Sequence, residues 1–194
     1  MNRTCSLARK TGETDIFVSL DLDGEGVSQI DTGIGFFDHM LSAVAKHGLI
    51  DLTVRVQGDL AVDGHHTVED TGIVFGAALA QALGDKKGIR RVGSCFLPMD
   101  ESLAFCALDI SGRPYLAFDA AFPAEMCGGY ASELTEEFFR AVSVSSGITL
   151  HLKAEGRNTH HMIEALYKAF ARALRDAAAL DPRVKGVPST KGVL

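Results

Sequence analysis

The chain has 194 residues, of which 46% are hydrophobic and 23% are charged, and its formal net charge at pH 7 is −6. This composition is typical of a soluble globular protein, and the acidic balance argues against a nucleic-acid partner. No stretch approaches the roughly 20 apolar residues that cross a bilayer, so we expect no membrane partner, and the N-terminus lacks the apolar core of a signal peptide. The four cysteines form no C-x-x-C pair, which favours reduced thiols and a cytoplasmic location.

Four strands and two long helices are predicted along the chain. Alternating and β-branched apolar residues indicate the strands, and apolar residues at helical spacing indicate the helices. In chain order these elements are strands at 15–22 and 50–57, a helix at 65–83, strands at 102–110 and 147–154, and a helix at 160–179. Asp63 and Thr159 are the predicted N-caps of the two helices. The segment from Pro182 onward is predicted to be irregular.

The sequence contains an internal repeat. A shift of 88 residues aligns Glu13 with Glu101, and a shift of 98 aligns Gly58 with Gly156. A shift of 95 aligns two copies of a His-His-x-x-Glu motif, and the landmarks keep the same order in both copies. We therefore predict an α+β fold with an internal duplication, in which residues 1–90 and 91–194 form two similar half-domains.

The repeated motif has the residue types of a metal site. The first cassette, residues 65–69, reads HHTVE, and the second cassette, residues 160–164, reads HHMIE. Residues four apart share one face of a helix. His65 and Glu69 can therefore bind one divalent ion, and His160 and Glu164 can do the same. A lone histidine is usually structural, but two matched cassettes favour metal binding.

Further ligands are needed for a pair of ions. The second histidines, His66 and His161, point about 100° away from the first ones and would face a second ion. His39 is the candidate in the first half, and the repeat places Glu137 at its matching position in the second half, with His151 as an alternative. Imidazole and carboxylate ligands without thiolate suit Mn, Fe(II), Co or Zn.

Longer motifs resemble the imidazoleglycerol-phosphate dehydratase family. They are GFFDHML at 35–41, KHG at 46–48, DGHHTVED at 63–70, SGRPY at 111–115, NTHHMIEA at 158–165 and PSTKG at 188–192. The resemblance runs in order from about Arg3 to Leu194. It implies the sixth step of histidine biosynthesis, in which imidazole-glycerol phosphate loses water to give imidazole-acetol phosphate. It also implies two four-stranded sheets enclosing helices, trimers that assemble into a 24-subunit shell, and two Mn ions at each subunit interface.

The resemblance also implies roles for individual residues. Glu13 occupies a substrate-contacting position and is the expected general base, with its repeat mate Glu101 as the alternative. His47 either donates a proton to the leaving hydroxyl or caps its helix. The implied phosphate contacts are Arg91, Arg113, Ser189, Thr190 and Lys191. Further substrate contacts are expected from His39, His65, His66 and Glu69.

Two metal ions would explain how a dehydratase of this kind works without an organic cofactor. The proton to be removed lies on a carbinol carbon that no carbonyl acidifies. We expect the substrate to bridge two Mn ions as an imidazolate, whose electrons expel the neighbouring hydroxyl. The resulting diazafulvene-like intermediate would acidify the next carbon, and a carboxylate would then remove its proton.

Two other classes of function fit the cassettes alone. A metal-storage or metal-sensing protein would need the same ligands, but it would need no site for an organic phosphate. A binuclear metallohydrolase would also hold two ions, but aspartates dominate the ligands of most such enzymes, whereas imidazoles dominate here.

Overall fold

The computed structural model describes residues 3–194, and these form two halves whose four-stranded sheets have the same topology. The first half runs in the order β1 (Thr4–Lys10), β2 (Thr14–Asp21), β3 (Ser28–Asp31), α1 (Gly35–Gly48), β4 (Asp51–Gly58) and α2 (His65–Leu83). The second half runs in the order β5 (Val92–Met99), β6 (Ser102–Asp109), β7 (Tyr115–Ala120), β8 (Met126–Cys127), β9 (Tyr130–Ala131), α3 (Leu134–Ser146), β10 (Thr149–Glu155) and α4 (Thr159–Ala178).

Each half builds one four-stranded sheet with the same strand order. The first sheet has the order β1-β2-β4-β3, and the second has the order β5-β6-β10-β7. In each sheet three strands are antiparallel, while β3 and β7 run parallel to their neighbours β4 and β10. A parallel pair needs a crossover, which α1 and α3 supply. The predicted α+β fold with an internal duplication is confirmed, whereas the division at residue 90 stays a prediction.

The helices lie between the two sheets, and each shorter helix packs against the long helix of the other half. The long helix of each half packs on its own sheet, so that α2 contacts β1 and β2, and α4 contacts β5 and β6. The shorter helices pack on the long helix of the other half, with α1 against α4 and α3 against α2. This exchange places residues of one half beside the cassette of the other half.

Alternating and helical apolar patterns explain this arrangement. In β2 the side chains of Ile16, Val18 and Leu20 are buried, while the residues between them are more exposed. The predicted apolar stripe of α4 is confirmed, because its members are fully buried: Ile163, Leu166, Tyr167, Phe170 and Leu174. Burying a large apolar side chain contributes about 1.5–3 kcal/mol, so this stripe fixes the position of the second cassette.

The predicted elements agree with the structure to within two residues at each end, but the caps do not. Asn158 is the N-cap of α4, because its side chain accepts the backbone N–H of His161. The prediction of Thr159 was wrong, since its hydroxyl accepts the backbone N–H of Ala124 instead. Gly64 stands at the cap position of α2. Asp63 nevertheless accepts the backbone N–H of His65 at 2.8 Å.

Among residues 3–194, no helix has the combined length and apolar character that a membrane crossing requires.

Close approach of α2 to α3 depends on glycine. A Cβ at Gly72 would lie 2.8 Å from both the Cβ of Ala141 and the carbonyl oxygen of Phe138. We therefore expect Gly72→Ala to lower the free energy of unfolding by roughly 1–3 kcal/mol, because the two helices must separate. Gly35→Ala is the control, since a Cβ at Gly35 would meet no atom of the described chain within 4 Å. Urea unfolding of both variants checks this, and equal midpoints would contradict it.

Candidate metal centre

The second cassette meets a histidine from the first half. His39 on α1 lies with its Nε2 atom 3.3 Å from Oε2 of Glu164, and Nε2 of His160 lies 3.1 Å from the same oxygen. One ligand atom from each of these three residues lies within 4.8 Å of the other two. We expected His39 to serve the first half, but the packing of α1 against α4 places it with the second cassette.

These three residues fit a divalent cation. Ligand atoms that each lie about 2.1 Å from an ion and subtend a right angle lie roughly 3 Å apart, close to the separations found here. Two imidazole nitrogens and one carboxylate form a mixed set that suits Mn, Fe(II), Co or Zn. The cluster of His39, His160 and Glu164 is therefore a candidate site for a divalent cation.

Lys168 keeps the central carboxylate charged. Its Nζ atom lies 2.6 Å from Oε1 of Glu164, which leaves Oε2 facing the two histidines. Burial raises the pKa of Glu164, but the hydrogen bond and charge of Lys168, together with His39, outweigh burial and lower it. His47 lies about two turns after His39 on α1. Burial and the charges of Lys168 and Arg172 lower the pKa of His47. A histidine with a lowered pKa holds a proton less readily, and the role of His47 as a proton donor stays a prediction.

The first cassette forms a smaller group. Nε2 of His65 lies 3.6 Å from Oε2 of Glu69. Glu137 lies on α3, the helix that packs against α2, and its carboxylate is 3.8 Å from Nε of Arg140. His151 is exposed on β10 between buried neighbours, and thus faces away from the helices. Glu137 stays the predicted additional ligand on this side of the molecule.

The second histidine of each cassette is bound by a carboxylate. Nδ1 of His66 lies 2.9 Å from Oδ2 of Asp59, and Nδ1 of His161 lies 2.8 Å from Oε2 of Glu101. The hydrogen bond to Asp59 raises the pKa of His66, and the hydrogen bond to Glu101 raises the pKa of His161. Within residues 3–194, Nε2 of either ring has no carboxylate oxygen nearer than 3.7 Å.

Glu101 does not suit the role of general base. It accepts hydrogen bonds from His161, from the hydroxyl of Ser102, and from the backbone N–H groups of Arg157 and Asn158. The bond from His161, followed by the two backbone donors, holds the pKa of Glu101 well below its ordinary value. A carboxylate with four donors has little tendency to accept a further proton. Its side chain binds the second cassette instead.

Glu13 is a free carboxylate near the first cassette. It lies in the turn between β1 and β2, is exposed, and places Oε1 3.8 Å from Nε2 of His66. The turn is attached to α2 by Asp70, which accepts the hydroxyl of Thr14 at 2.6 Å and forms an ion pair with Arg9 at 2.7 Å. Asp70 is buried and directly follows Glu69 in the sequence. This contact fixes Glu13 relative to the first cassette.

Removing Asp70 should destabilise the protein and release this turn. We expect Asp70→Ala to lower the free energy of unfolding by roughly 3 kcal/mol, because Arg9 loses its buried partner. Asp15→Ala is the matched control, since Asp15 forms an exposed pair with Lys10 in the same hairpin and should cost under about 1 kcal/mol. Denaturant unfolding compares the two. Equal losses in both variants would show that Asp70 has no special anchoring role.

The predicted phosphate residues lie at the other end of the molecule. The backbone N–H of Arg91 donates to the carbonyl of Ala177 near the end of α4, whereas the second cassette lies at its start. At 1.5 Å per residue these two points on α4 are roughly 25 Å apart. The guanidinium of Arg91 forms two hydrogen bonds with Asp109 and one with the carbonyl of Pro188, so Arg91 holds the C-terminal segment.

The remaining phosphate candidates surround this contact. Arg113 is mostly exposed and lies 3.7 Å from Asp109, which leaves donors free for an anion. Ser189 accepts the backbone N–H of Lys191, and Thr190 and Lys191 are exposed. A cavity of about 460 Å³ lies beside His65, and among the described residues its lining contains no lysine or arginine. Within the described residues of one chain, therefore, the cassettes and the phosphate candidates are not brought together.

Comparison with known proteins decides the family. Residues 32–174 match the sequence model of imidazoleglycerol-phosphate dehydratase. The chain belongs to the imidazoleglycerol-phosphate dehydratase family. A relative of that name from Symbiobacterium thermophilum is 64% identical over 193 residues, which cover 99% of this chain and 93% of the relative. One from Acetivibrio thermocellus is 62% identical over 195 aligned positions, covering both chains completely.

Solved structures of the family share this fold. The imidazoleglycerol-phosphate dehydratase of Staphylococcus aureus has a TM-score of 0.84 and 42% identity, with 92% of this chain and 99% of that chain covered. The structure of the Pyrococcus furiosus enzyme in complex with (S)-C348 also has a TM-score of 0.84, at 35% identity, with 97% and 100% covered. The predicted enzyme class is confirmed, and neither metal storage nor metallohydrolase activity is supported.

Four residues of the two candidate sites were not predicted from the sequence: Asp59, Asp70 and Lys168 beside the cassettes, and Asp109 beside Arg91. Lys168 stands four residues after Glu164, a spacing typical of helical ion pairs, which could have identified it. Asp70 adjoins the first cassette, but no sequence pattern links it to its partners Thr14 and Arg9. Asp59 and Asp109 become visible only when separate strands and helices are brought together.

Proposed function

We propose that the protein is a metal-dependent lyase that converts imidazole-glycerol phosphate into imidazole-acetol phosphate and water, as a cytoplasmic enzyme of histidine biosynthesis. The observation that carries this proposal is the cluster of His39, His160 and Glu164, in a chain that is 62–64% identical to named dehydratases over almost its whole length. No other part of the described chain gathers three such ligands.

Two groups of side chains would hold a pair of divalent ions, with Mn as the expected metal. The ligands of the cassettes and their additional partners are His39, His65, His66, Glu69, Glu137, His160, His161 and Glu164. Lys168 supports this assignment, because it keeps Glu164 ionised as a ligand must be. Bound ions would supply Lewis acidity to the imidazole ring of the substrate.

Glu13 would move the proton. Its carboxylate is exposed, carries no strong internal hydrogen bond in the described chain, and is held near His66 by the Asp70 contact. The equivalent residue of the second half, Glu101, accepts hydrogen bonds from four donors, so Glu13 is the free carboxylate of this pair. We infer that Glu13 removes the proton from the carbinol carbon that becomes the ketone of the product.

Arg113 and the C-terminal segment would bind the phosphate. A guanidinium matches phosphate oxygens with paired donors, and Lys191 adds a second positive charge. Arg91 serves this site mainly by holding Pro188 and therefore the residues that follow it. Ser189 and Thr190 add hydroxyl donors beside these cations.

The active centre would be shared between copies of the chain. A substrate made of an imidazole ring, three carbons and a phosphate spans roughly 10 Å at ordinary bond lengths. The cassette and Arg91 ends of α4 are roughly 25 Å apart, so one copy cannot present both to one substrate molecule. We propose that the cationic end of one copy completes the metal end of another, within the 24-subunit assembly of trimers that the resemblance implies.

Incubation with substrate tests the function. Protein reconstituted with Mn²⁺ should form an enolisable ketone from imidazole-glycerol phosphate, and protein stripped with a chelator should not. Restoring Mn²⁺ to the stripped protein should restore the reaction. Equal turnover by stripped protein would contradict metal dependence, and no turnover by replete protein would contradict the dehydratase assignment.

A further inference from the structure

We propose that Asp59 and Glu101 are positioning residues that set the tautomers of His66 and His161, so that each ring presents Nε2 as its ligand atom. This inference rests on the proposed function, because it concerns how the cassettes receive divalent ions. Neither carboxylate belongs to the proposed ligand set.

The chemistry of imidazole makes such a contact consequential. A neutral ring carries one N–H donor and one lone pair, and only the nitrogen with the lone pair can bind a metal. A carboxylate accepts hydrogen bonds and donates none, so a carboxylate beside Nδ1 selects the form with hydrogen on Nδ1. The lone pair is then on Nε2, and the ring cannot rotate without losing the bond.

Asp59 makes this contact in the first half. It directly follows β4, and its Oδ2 atom lies 2.9 Å from Nδ1 of His66. The other oxygen, Oδ1, is buried and has no hydrogen-bond partner in the described chain. The interaction of the Asp59 side chain is therefore directed to His66, whose Nε2 atom points toward Glu13.

Glu101 makes the corresponding contact in the second half. Its Oε2 atom lies 2.8 Å from Nδ1 of His161. Its Oε1 atom accepts three donors, from the backbone of Arg157 at 3.1 Å, the backbone of Asn158 at 2.8 Å and the hydroxyl of Ser102 at 2.9 Å. Oε1 therefore fixes the position of the Glu101 side chain, and Oε2 contacts His161.

The two contacts come from non-equivalent positions of the repeat. The alignment that matches Gly58 with Gly156 places Arg157 opposite Asp59, and the alignment of the β-hairpins places Glu13 opposite Glu101. Duplication alone therefore does not explain why both Nδ1 atoms face a carboxylate. Different residues make the same hydrogen bond in the two halves, which indicates that both histidines need a carboxylate at Nδ1. Because Asp59 makes this bond in the first half, the carboxylate of Glu13 is not used for it.

The difference between the two carboxylates gives a discriminating test. In Glu101→Gln, the amide oxygen must take the position of Oε1, where three donors meet, and the NH₂ group then faces Nδ1 of His161. This NH₂ group donates, so hydrogen moves to Nε2 and blocks the ligand position. In Asp59→Asn no donor fixes the amide, so its oxygen can still accept from His66. Asp59→Ala removes the acceptor altogether.

Calorimetric titration of the metal-free assembled protein with Mn²⁺ measures the consequence. We expect Glu101→Gln and Asp59→Ala each to weaken binding at one class of site by about 10–100-fold, and Asp59→Asn to weaken it much less. Glu155→Gln is the charge control, because Glu155 lies at the same end of the second sheet and, among the described residues, forms an ion pair with Lys153 alone. It should bind Mn²⁺ as the parent protein does.

Nitrogen NMR of histidine-labelled, metal-free protein, sedimented for magic-angle spinning, reads the tautomer directly. His161 is assigned by its loss in His161→Gln. Hydrogen on Nδ1 in the parent and on Nε2 in Glu101→Gln supports the proposal, whereas the same tautomer in both, or unchanged Mn²⁺ affinity in Glu101→Gln, overturns it. A parent protein that binds no Mn²⁺ contradicts the proposed function, and the tautomers of metal-free protein then still decide this inference.

Discussion

Replacing Glu13 with glutamine should lower kcat by about 100–10,000-fold, the usual contribution of a general base. The amide keeps the size of the side chain but cannot accept the proton. Glu13 is exposed, and the contact it makes with Nε2 of His66 is long, at 3.8 Å, so the change should leave the fold intact. Turnover of imidazole-glycerol phosphate and Mn²⁺ content are measured on the same preparation.

The Mn²⁺ content separates loss of the base from loss of the metal. We expect Glu13→Gln to retain the metal of the parent protein, since Glu13 is outside the proposed ligand set. Asp15→Asn, which removes an exposed carboxylate from the same hairpin, should keep full turnover. Near-normal kcat in Glu13→Gln would remove Glu13 from the role of base.

Two inactive variants should restore activity when they assemble together. His160→Ala removes a cassette ligand at the start of α4, and Arg113→Ala removes a phosphate contact from the cluster near its other end. Each variant alone should lose at least about 100-fold in turnover, because one interaction with the reacting substrate or its phosphate is missing. In a mixed assembly, His160 of one copy can meet Arg113 of another, and such centres are intact.

Coexpression of the two variants with different affinity tags provides the mixed assembly. Tandem purification isolates particles that contain both chains, and their turnover is compared with that of each variant coexpressed with itself. Recovery in the mixed particles alone supports a centre shared between copies. If mixed particles are as inactive as the parents while size and Mn²⁺ content are normal, the two ends do not serve one centre.

The sequence was most informative where chemistry and periodicity coincide. Both cassettes, both long helices and the duplicated topology were predicted because a histidine pair, a carboxylate and an apolar stripe occur together in each copy. Strands β2, β4, β6 and β10 were predicted because they are central and alternate strongly. The edge strands β1 and β5 were not, because their residues are more exposed and their apolar alternation is weaker.

Contacts between segments that are distant in the chain could not be predicted from the sequence. His39 joins the second cassette because α1 and α4 pack across the repeat, and no local pattern reports such an exchange. Glu101 was taken as a possible base because the repeat pairs it with Glu13. Its four hydrogen bonds involve residues up to 60 positions away, and only the folded chain shows that they occupy the carboxylate.

The number of Mn²⁺ ions bound by the assembled protein tests the central claim most directly. Two cassettes in each chain, arranged into paired sites, should bind two ions for every chain, as measured by elemental analysis together with calorimetric titration of stripped protein. Loss of dehydratase turnover should accompany their removal. Saturation at a single ion for every chain, or full turnover without any, would contradict the paired-ion account.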